Sequence, residues 1–251
     1  MAHFFLELAG RVVSVHSLFD DCFTYCAKYL SSGDPVFSLC LSGDDIEHEQ
    51  KVASQEDVAE GKAIRQLTDA QLEITALQRK IAEKMFDYDT LVFHGSVIAV
   101  DGEAFLFTAK SGTGKSTHTA LWRQIFGDRA VMVNDDKPFL HVGRDIVTAY
   151  GSPWNGKHGL GTNTSAPLKA ICILERGIDN EIRQIPAGEA VFMLLQQSNR
   201  PMDRAKMPVY MSLLDGISRN VQFYRMKCNM DPEAAMMAYE AMSGKKFGDA
   251  K

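Results

Sequence analysis

The sequence predicts an α/β protein, with a small N-terminal α/β subdomain over residues 1–90 and a phosphate-binding domain over 91–251. Three observations carry this expectation. Two strand-like runs, Val97-Ile98-Ala99-Val100 and Ala104-Phe105-Leu106-Phe107, flank the dipeptide Asp101-Gly102. The second run feeds straight into a glycine-rich segment followed by a helical pattern. Upstream, Leu67, Ala70, Ile74, Leu77, Ile81 and Met85 recur at intervals of three and four, which places them on one apolar helical face.

Taken in order, Phe4 to Val15 alternates and carries β-branched residues, so it predicts one or two strands. Leu18 to Leu30 predicts a helix, ended by Ser31-Ser32-Gly33-Asp34-Pro35. Val36 to Leu41 is a short strand. The acidic run Asp44, Asp45, Glu47 and Glu49 reads as a solvated loop or helix start, because no partner ligands flank it. Thr68 to Met85 is the clearest helix, with Thr68 and Gln71 spaced as a capping box. Asp101-Gly102 predicts a tight hairpin. Leu168 to Leu174 and Val221 to Tyr224 read as strands. Asp231-Pro232-Glu233 opens a last helix, with Asp231 as its cap and Pro232 at its first position.

Composition narrows the functional classes. The 251 residues are 45% apolar and 24% charged, enough to bury a full core. The net charge of -5, with acids and bases mixed, argues against a nucleic acid partner, which asks for a basic face. No apolar stretch reaches the roughly 18 to 20 residues of a membrane span, and the N-terminus has no basic leader pattern. A cytoplasmic protein with no membrane partner is expected. Of the five cysteines only Cys22 and Cys26 are close, and no second pair follows with zinc spacing, so free thiols are expected. The twelve methionines read as core filler.

The chemistry concentrates in Ala109-Lys110-Ser111-Gly112-Thr113-Gly114-Lys115-Ser116, which fits the P-loop pattern with Ala in place of the first Gly. Small residues let backbone N–H groups converge on phosphate oxygens, and the helix N-terminus that follows favours an anion. Ser111, Gly112, Thr113, Gly114, Lys115, Ser116 and Thr117 are the expected nucleotide contacts. Lys115 is expected to reach the β- and γ-phosphates of ATP and Ser116 to bind Mg²⁺. Downstream, the apolar strand Val131-Met132-Val133 ends in Asn134-Asp135-Asp136. One helix, a turn and a strand fit between Ser116 and Asp135, which brings the carboxylates beside the phosphates at the C-terminal ends of neighbouring strands. One acid would hold Mg²⁺ and the other would accept the proton of an attacking hydroxyl.

His94-Gly95, the hairpin, the P-loop and the Asp135-Asp136 pair occur in the order and spacing of the catalytic domain of HPr kinase/phosphorylase, which this segment resembles. It is also similar to the P-loop half of phosphoenolpyruvate carboxykinase. The whole chain looks like small bacterial HPr-kinase-like proteins that share the Ser-Pro-Trp-x-Gly-Lys segment, here Ser152 to Lys157. The kinase resemblance covers about Leu91 to Leu174. It implies a mixed sheet with flanking helices and a γ-phosphoryl transfer to a hydroxyl: a serine of a protein or peptide, or a small metabolite. It makes Asp135 the base, Asp136 the metal-side acid and His94 a group beside the reacting phosphate; a strand-end histidine hydrogen-bonded to backbone is the other reading of His94, and its charge state near neutral pH suits either role.

The chain departs from that pattern after the acid pair. Where HPr kinase carries Glu-x-Arg-Gly-Leu-Gly, this chain has Gly156-Lys157-His158-Gly159-Leu160-Gly161. The missing Glu counts against a reverse phosphorylase activity, and Lys157 is a candidate for supplying positive charge to the phosphates. The alternatives are an ATP-binding regulatory protein without transfer, or an ATPase. Trp154 reads as a packing or base-stacking residue, and Arg200 as a loop residue able to face an acceptor.

Overall fold

A computed structural model describes residues 1–59, 61–110 and 112–248 of the chain. It shows the expected class, α/β with a mixed sheet and flanking helices. The chain divides into two compact units, Met1–Lys84 and Met85–Lys251.

In the first unit, β1 (Ala2–Leu8) and β2 (Arg11–Ser17) form an antiparallel hairpin. The helix expected over Leu18–Leu30 is instead one short helix, α1 (Asp21–Tyr25), and a single 3₁₀ turn at Ala27–Tyr29. The buried Glu73 carboxylate accepts the Leu18 and Phe19 N–H groups at 2.5 and 3.1 Å, which fixes the chain entry in a non-helical form. Next, β3 (Phe37–Cys40) joins β2 in parallel.

The acidic run opens a helix, one of its two expected forms, with Asp44 and Glu47 exposed. It lies in α2 (Gly43–Ala59), where Asp45 and Glu49, one turn apart, are both buried. Arg79 pairs with Glu49 and Asp45, and Lys80 Nζ lies 2.5 Å from Asp45. These cations sit on α3 (Asp69–Met85), thirty or more residues downstream, so the neutralising partners are invisible to local reading. The capping box at the head of α3 is present: Gln71 N–H donates to Thr68 Oγ1 at 3.2 Å and Thr68 N–H to Gln71 Oε1 at 3.0 Å. Its buried stripe is Leu72, Ala76, Leu77, Ile81 and Met85, starting later than the Leu67 register anticipated.

The second unit is built on one bent sheet. It contains β4 (Thr90–Val92), β5 (Ser96–Val100), β6 (Glu103–Thr108), α4 (Lys115–Phe126) and β7 (Ala130–Asn134). Then follow β8 (Phe139–Val142), β9 (Val147–Tyr150), β10 (Ser165–Arg176) and β11 (Glu181–Ile185). The chain ends with α5 (Ala187–Gln197), α6 (Met207–Asn220), β12 (Gln222–Cys228) and α7 (Pro232–Ser243). The β5–β6 hairpin turns at Asp101 and Gly102, both at positive φ (52° and 80°), as a two-residue turn of this hand requires.

The long strand β10 organises the sheet. Its first residues pair with β9, antiparallel, and its remainder lies between β6 and β12, parallel to both. Alternate residues go to opposite faces. Ala170, Cys172 and Leu174 join Phe105, Phe107, Trp122 of α4 and Tyr239 of α7 in one core. Ile171 and Ile173 join Val97, Leu106 and residues of α5 and α6 in the other. Both faces are covered, which explains the continuous apolar runs of β5 and β6. Asp231 sits at the N-cap of α7, but its side chain does not cap. Its Oδ2 accepts from Asn229 Nδ2 at 3.0 Å instead.

Candidate functional site

β5 runs antiparallel to both β6 and β7, so β6, β7, β10 and β12 all point the same way. Their C-terminal ends gather the glycine-rich loop, the acid pair and the turns after Arg176 and Cys228. This is the edge at which open α/β sheets carry their sites. The loop after β6 and the acids after β7 are not on adjacent strands, as the sequence implies, because β5 lies between them. That inserts the N-terminal end of β5, with His94, Gly95 and Ser96, into the middle of the site.

The glycine-rich loop turns at Gly112 (φ 76°) and Gly114 (φ 119°), and Gly114 is the N-cap of α4. Side chains rarely adopt such φ values, so these glycines let the loop close tightly over the helix start. Ser111 lies outside the described residues. Lys115 Nζ donates to the Ala109 carbonyl at 3.3 Å. Burial lowers the Lys115 pKa, with Lys137 acting in the same direction and Asp136 and Asp135 opposing. Lys115, Asp135 and Asp136 therefore share one electrostatic environment. Ser116 and Thr117 are exposed on the first turn of α4.

Asp135 is only 4% exposed. Ser96 Oγ, itself fully buried, donates to Asp135 Oδ1 at 2.8 Å. The other oxygen, Oδ2, is buried and has no hydrogen-bond partner among the described residues. Behind it, Asn134 shapes the turn: its Oδ1 accepts from Asp136 N and Lys137 N at 2.8 and 2.7 Å. Its Nδ2 donates to Ser152 at 3.1 Å. A Cβ at Gly156 would lie 3.0 Å from Asp135 Oδ2 and 3.3 Å from the Asp135 carbonyl, so backbone closes directly against this acid.

His94 Nε2 and Lys137 Nζ each lie 3.4 Å from Asp136 Oδ1. His94 is pushed down to about 4, first by burial, then by Lys137 and Lys115, against the pull of Asp136. That shift favours the neutral imidazole. Its main chain is fixed by His94 N–H to Gln197 O at 2.6 Å and Thr108 Oγ1 to His94 O at 3.0 Å.

Three further residues singled out by the sequence have these settings. Lys157 is exposed in the turn closed by Gly159 N–H to Gly156 O. Trp154 is a packing residue, 5% exposed and edge-on to Phe139. Arg200 is exposed and donates to Leu195 O at 3.4 Å. The sequence reading missed Ser96, Lys137 and Asn155, whose Oδ1 accepts from Asp135 N at 3.4 Å. Lys137 follows the acid pair directly and had a local signal; Ser96 had none.

Mg²⁺ takes oxygen ligands, and the Ser116 hydroxyl and the Asp136 and Asp135 carboxylates, one Asp135 oxygen being unclaimed among the described residues, are donors of that kind. No helix among the described residues is long and apolar enough to cross a membrane.

A family model described as "ScmC: SynChlorMet cassette protein ScmC" matches residues 63–236, well over half of the sequence, and the chain belongs to that family. The sequence matches no curated protein. Among solved structures it is similar to the Hpr(Ser) kinase/phosphatase from Coxiella burnetii. That match has 12% identity and a TM-score of 0.29, over 49% of this chain and 93% of that one.

Proposed function

We propose that this chain is a Mg²⁺- and ATP-dependent phosphotransferase, with a P-loop core of the HPr kinase/phosphoenolpyruvate carboxykinase type over its second unit. The observation that carries the reading is the buried, unpartnered Asp135 Oδ2 in the electrostatic range of Lys115. A carboxylate oxygen without a partner is costly to bury, and an ordered water, an ion or a ligand can complete it.

In this reading the amides of the glycine-rich loop and Lys115 hold the phosphates of ATP. Ser116 and Asp136 would hold Mg²⁺, which when bound neutralises phosphate charge. Asp135 Oδ2 accepts the proton of an acceptor O–H as its oxygen bonds to the γ-phosphorus, and ADP leaves with the electrons of the broken P–O bond. Ser96 anchors the other Asp135 oxygen and so aims the base. Neutral His94 lies beside the transferred group. The acceptor is a serine of a protein or peptide, or a small hydroxylated metabolite.

The test is transfer of label from γ-labelled ATP with Mg²⁺ and a cell extract. Label should move with the native chain and not with Asp135→Asn. Lys115→Ala should cost about 3 kcal/mol of transition-state stabilisation, by analogy with losing one preorganised donor; unchanged turnover there ends the assignment. One feature supports a second reading, nucleotide binding without transfer. Glycine stands at position 156, where the resemblance places a glutamate. Thermal stabilisation by ATP with no labelled product would favour it.

A further inference from the structure

A cavity of about 380 Å³ runs along α4 from Ser116 toward the far end of the helix. Ser116, Thr117, Ala120 and Arg123 line it from α4, and His158 and Leu160 line it from the loop after Gly156. Ser116, Ala120 and Arg123 recur at intervals of four and three, so they share one helical face. At 1.5 Å per residue, Arg123 lies about 10 Å beyond Ser116 along the axis. The loop is tied to the strand that carries the acid pair. Gly156 closes against Asp135, and Thr162 Oγ1 donates to the Met132 carbonyl of β7 at 2.9 Å. The cavity therefore holds a set position relative to Asp135.

Arg123 is the unusual wall residue. It is half-buried, its Nε is enclosed without a partner, and no hydrogen bond or ion pair holds its guanidinium among the described residues. Other half-buried cations of the chain are answered: Arg79 pairs with Glu49, Lys80 with Asp45 and Lys206 with Asp87. No carboxylate lines this cavity among the described residues. His158 is exposed, its ring held by no bond among the described residues, and an imidazole brings at least one N–H donor. Lys157, next to it in the chain, is exposed too. A chain of net charge -5 thus keeps a local excess of unanswered donors beside Ser116. A partly buried cation without a counter-charge is costly, and an anion entering the cavity removes that cost.

We infer that this cavity receives an oxyanion, phosphate or carboxylate, carried by the phosphoryl acceptor, and that Arg123 and His158 are its donors. The inference rests on the phosphotransferase reading above. It adds the class of acceptor: a hydroxyl compound with an acidic group within about 10 Å of that hydroxyl. Because Arg123 Nε is enclosed, the anion meets the terminal N–H groups of the planar fork, whose spacing suits two oxygens of one anion. With the anion seated there, the rest of the acceptor runs back along Ala120 and Leu160 toward Ser116 and Asp135. That is the direction in which its hydroxyl has to reach the base.

The test saturates the full chain with Mg²⁺ and the β,γ-imido analogue of ATP, then titrates it with inorganic phosphate and, separately, acetate. NMR reads the His158 ring, and the Leu160 amide where His158 is changed. At least one anion should bind the native chain, and the tighter of the two names the acidic group. Arg123→Gln should weaken it at least about tenfold, the worth of a hydrogen bond to a charged group, and leave the affinity for the ATP analogue unchanged. Arg123→Lys, which returns the charge without the fork, should recover part of that loss. His158→Gln, on an exposed loop, should weaken the same anion and serves where Arg123→Gln does not fold. In the labelling reaction, a cell extract split beforehand on an anion exchanger should hold its acceptor in the retained fraction. Arg123→Gln should need at least about tenfold more of that fraction for half-maximal transfer. Binding of the ATP analogue but of neither anion overturns this inference alone. Unchanged anion binding by both Arg123→Gln and His158→Gln overturns the two donors, and an acceptor in the unretained fraction overturns its acidic class. A native chain that does not bind the ATP analogue overturns the phosphotransferase reading and this inference with it.

Discussion

Each of the two units buries acids, and they treat them differently. In the first unit Glu73 receives two backbone N–H groups, Asp45 receives Lys80 and Arg79, and Glu49 receives Arg79. In the second unit Asp135 is as thoroughly buried, but only its Oδ1 is met by a side-chain donor, Ser96. Burial is nearly the same and satisfaction is not. The contrast teaches that a buried charge is informative about function only through the part of it the chain leaves unanswered.

The largest effect that can break this comparison is structural. Arg79→Ala leaves Glu49 buried without its cation and should lower unfolding free energy by about 3–5 kcal/mol, measured by denaturant titration. A loss below about 1 kcal/mol would place these acids in the same class as Asp135.

Acidification should separate the units next. A free imidazole titrates near 6.5 and His118 at about 4, so between those values the unfolded chain holds a proton the folded chain refuses. The stability from this group is complete above pH 6.5 and is lost as pH falls toward 4, by about 3 kcal/mol in all. His94, held at about 4, acts in the same direction. In the first unit burial alone would raise Asp45, but Lys80 and Ser42 hold it below 3.8. Its contribution is complete above 3.8 and is lost only at lower pH. Unfolding followed from pH 7 to 3 should therefore weaken the second unit first. A flat profile between 6.5 and 4 refutes the neutral, buried state of His118.

Asp135→Asn sharpens the contrast further. Its unfolding free energy should change by less than about 1 kcal/mol, because no cation is abandoned. Turnover should fall by about 100-fold or more, the usual worth of a general base. A stability loss like that of Arg79→Ala would make Asp135 a structural acid after all. The smallest effect is expected from Gly156→Ala. Its Cβ must displace Asp135 by a few tenths of an ångström, at about 1 kcal/mol or more, read in both unfolding and turnover.

What was legible in the sequence was what depends on neighbours in the chain. The Asp101-Gly102 turn, the Thr68–Gln71 box and the strand–loop–helix around Lys115 are each set within a few residues. The motif and the resemblance single out Asp135, Asp136, His94 and Lys115, and the structure brings them into one electrostatic environment. The misread features are long-range. Asp45 and Glu49 look solvated until α3 brings Arg79 and Lys80 to them. Ser96 is an ordinary strand residue until β7 pairs with β5 and sets Asp135 against it. The neutral state of His94 arises from burial and two lysines, neither adjacent in the chain.

The close approach of Gly156 to Asp135 also bears on how such a chain can change over generations. The two positions are twenty-one residues apart, yet one has no room for a side chain unless the other gives way. A glutamate could not be placed at 156 by a single codon change without disturbing Asp135. Gain of that acid would need a permissive substitution first, one that moves Asp135 or widens its turn at Asn134. Once glycine is established at 156 and Asp135 has settled against it, each residue entrenches the other.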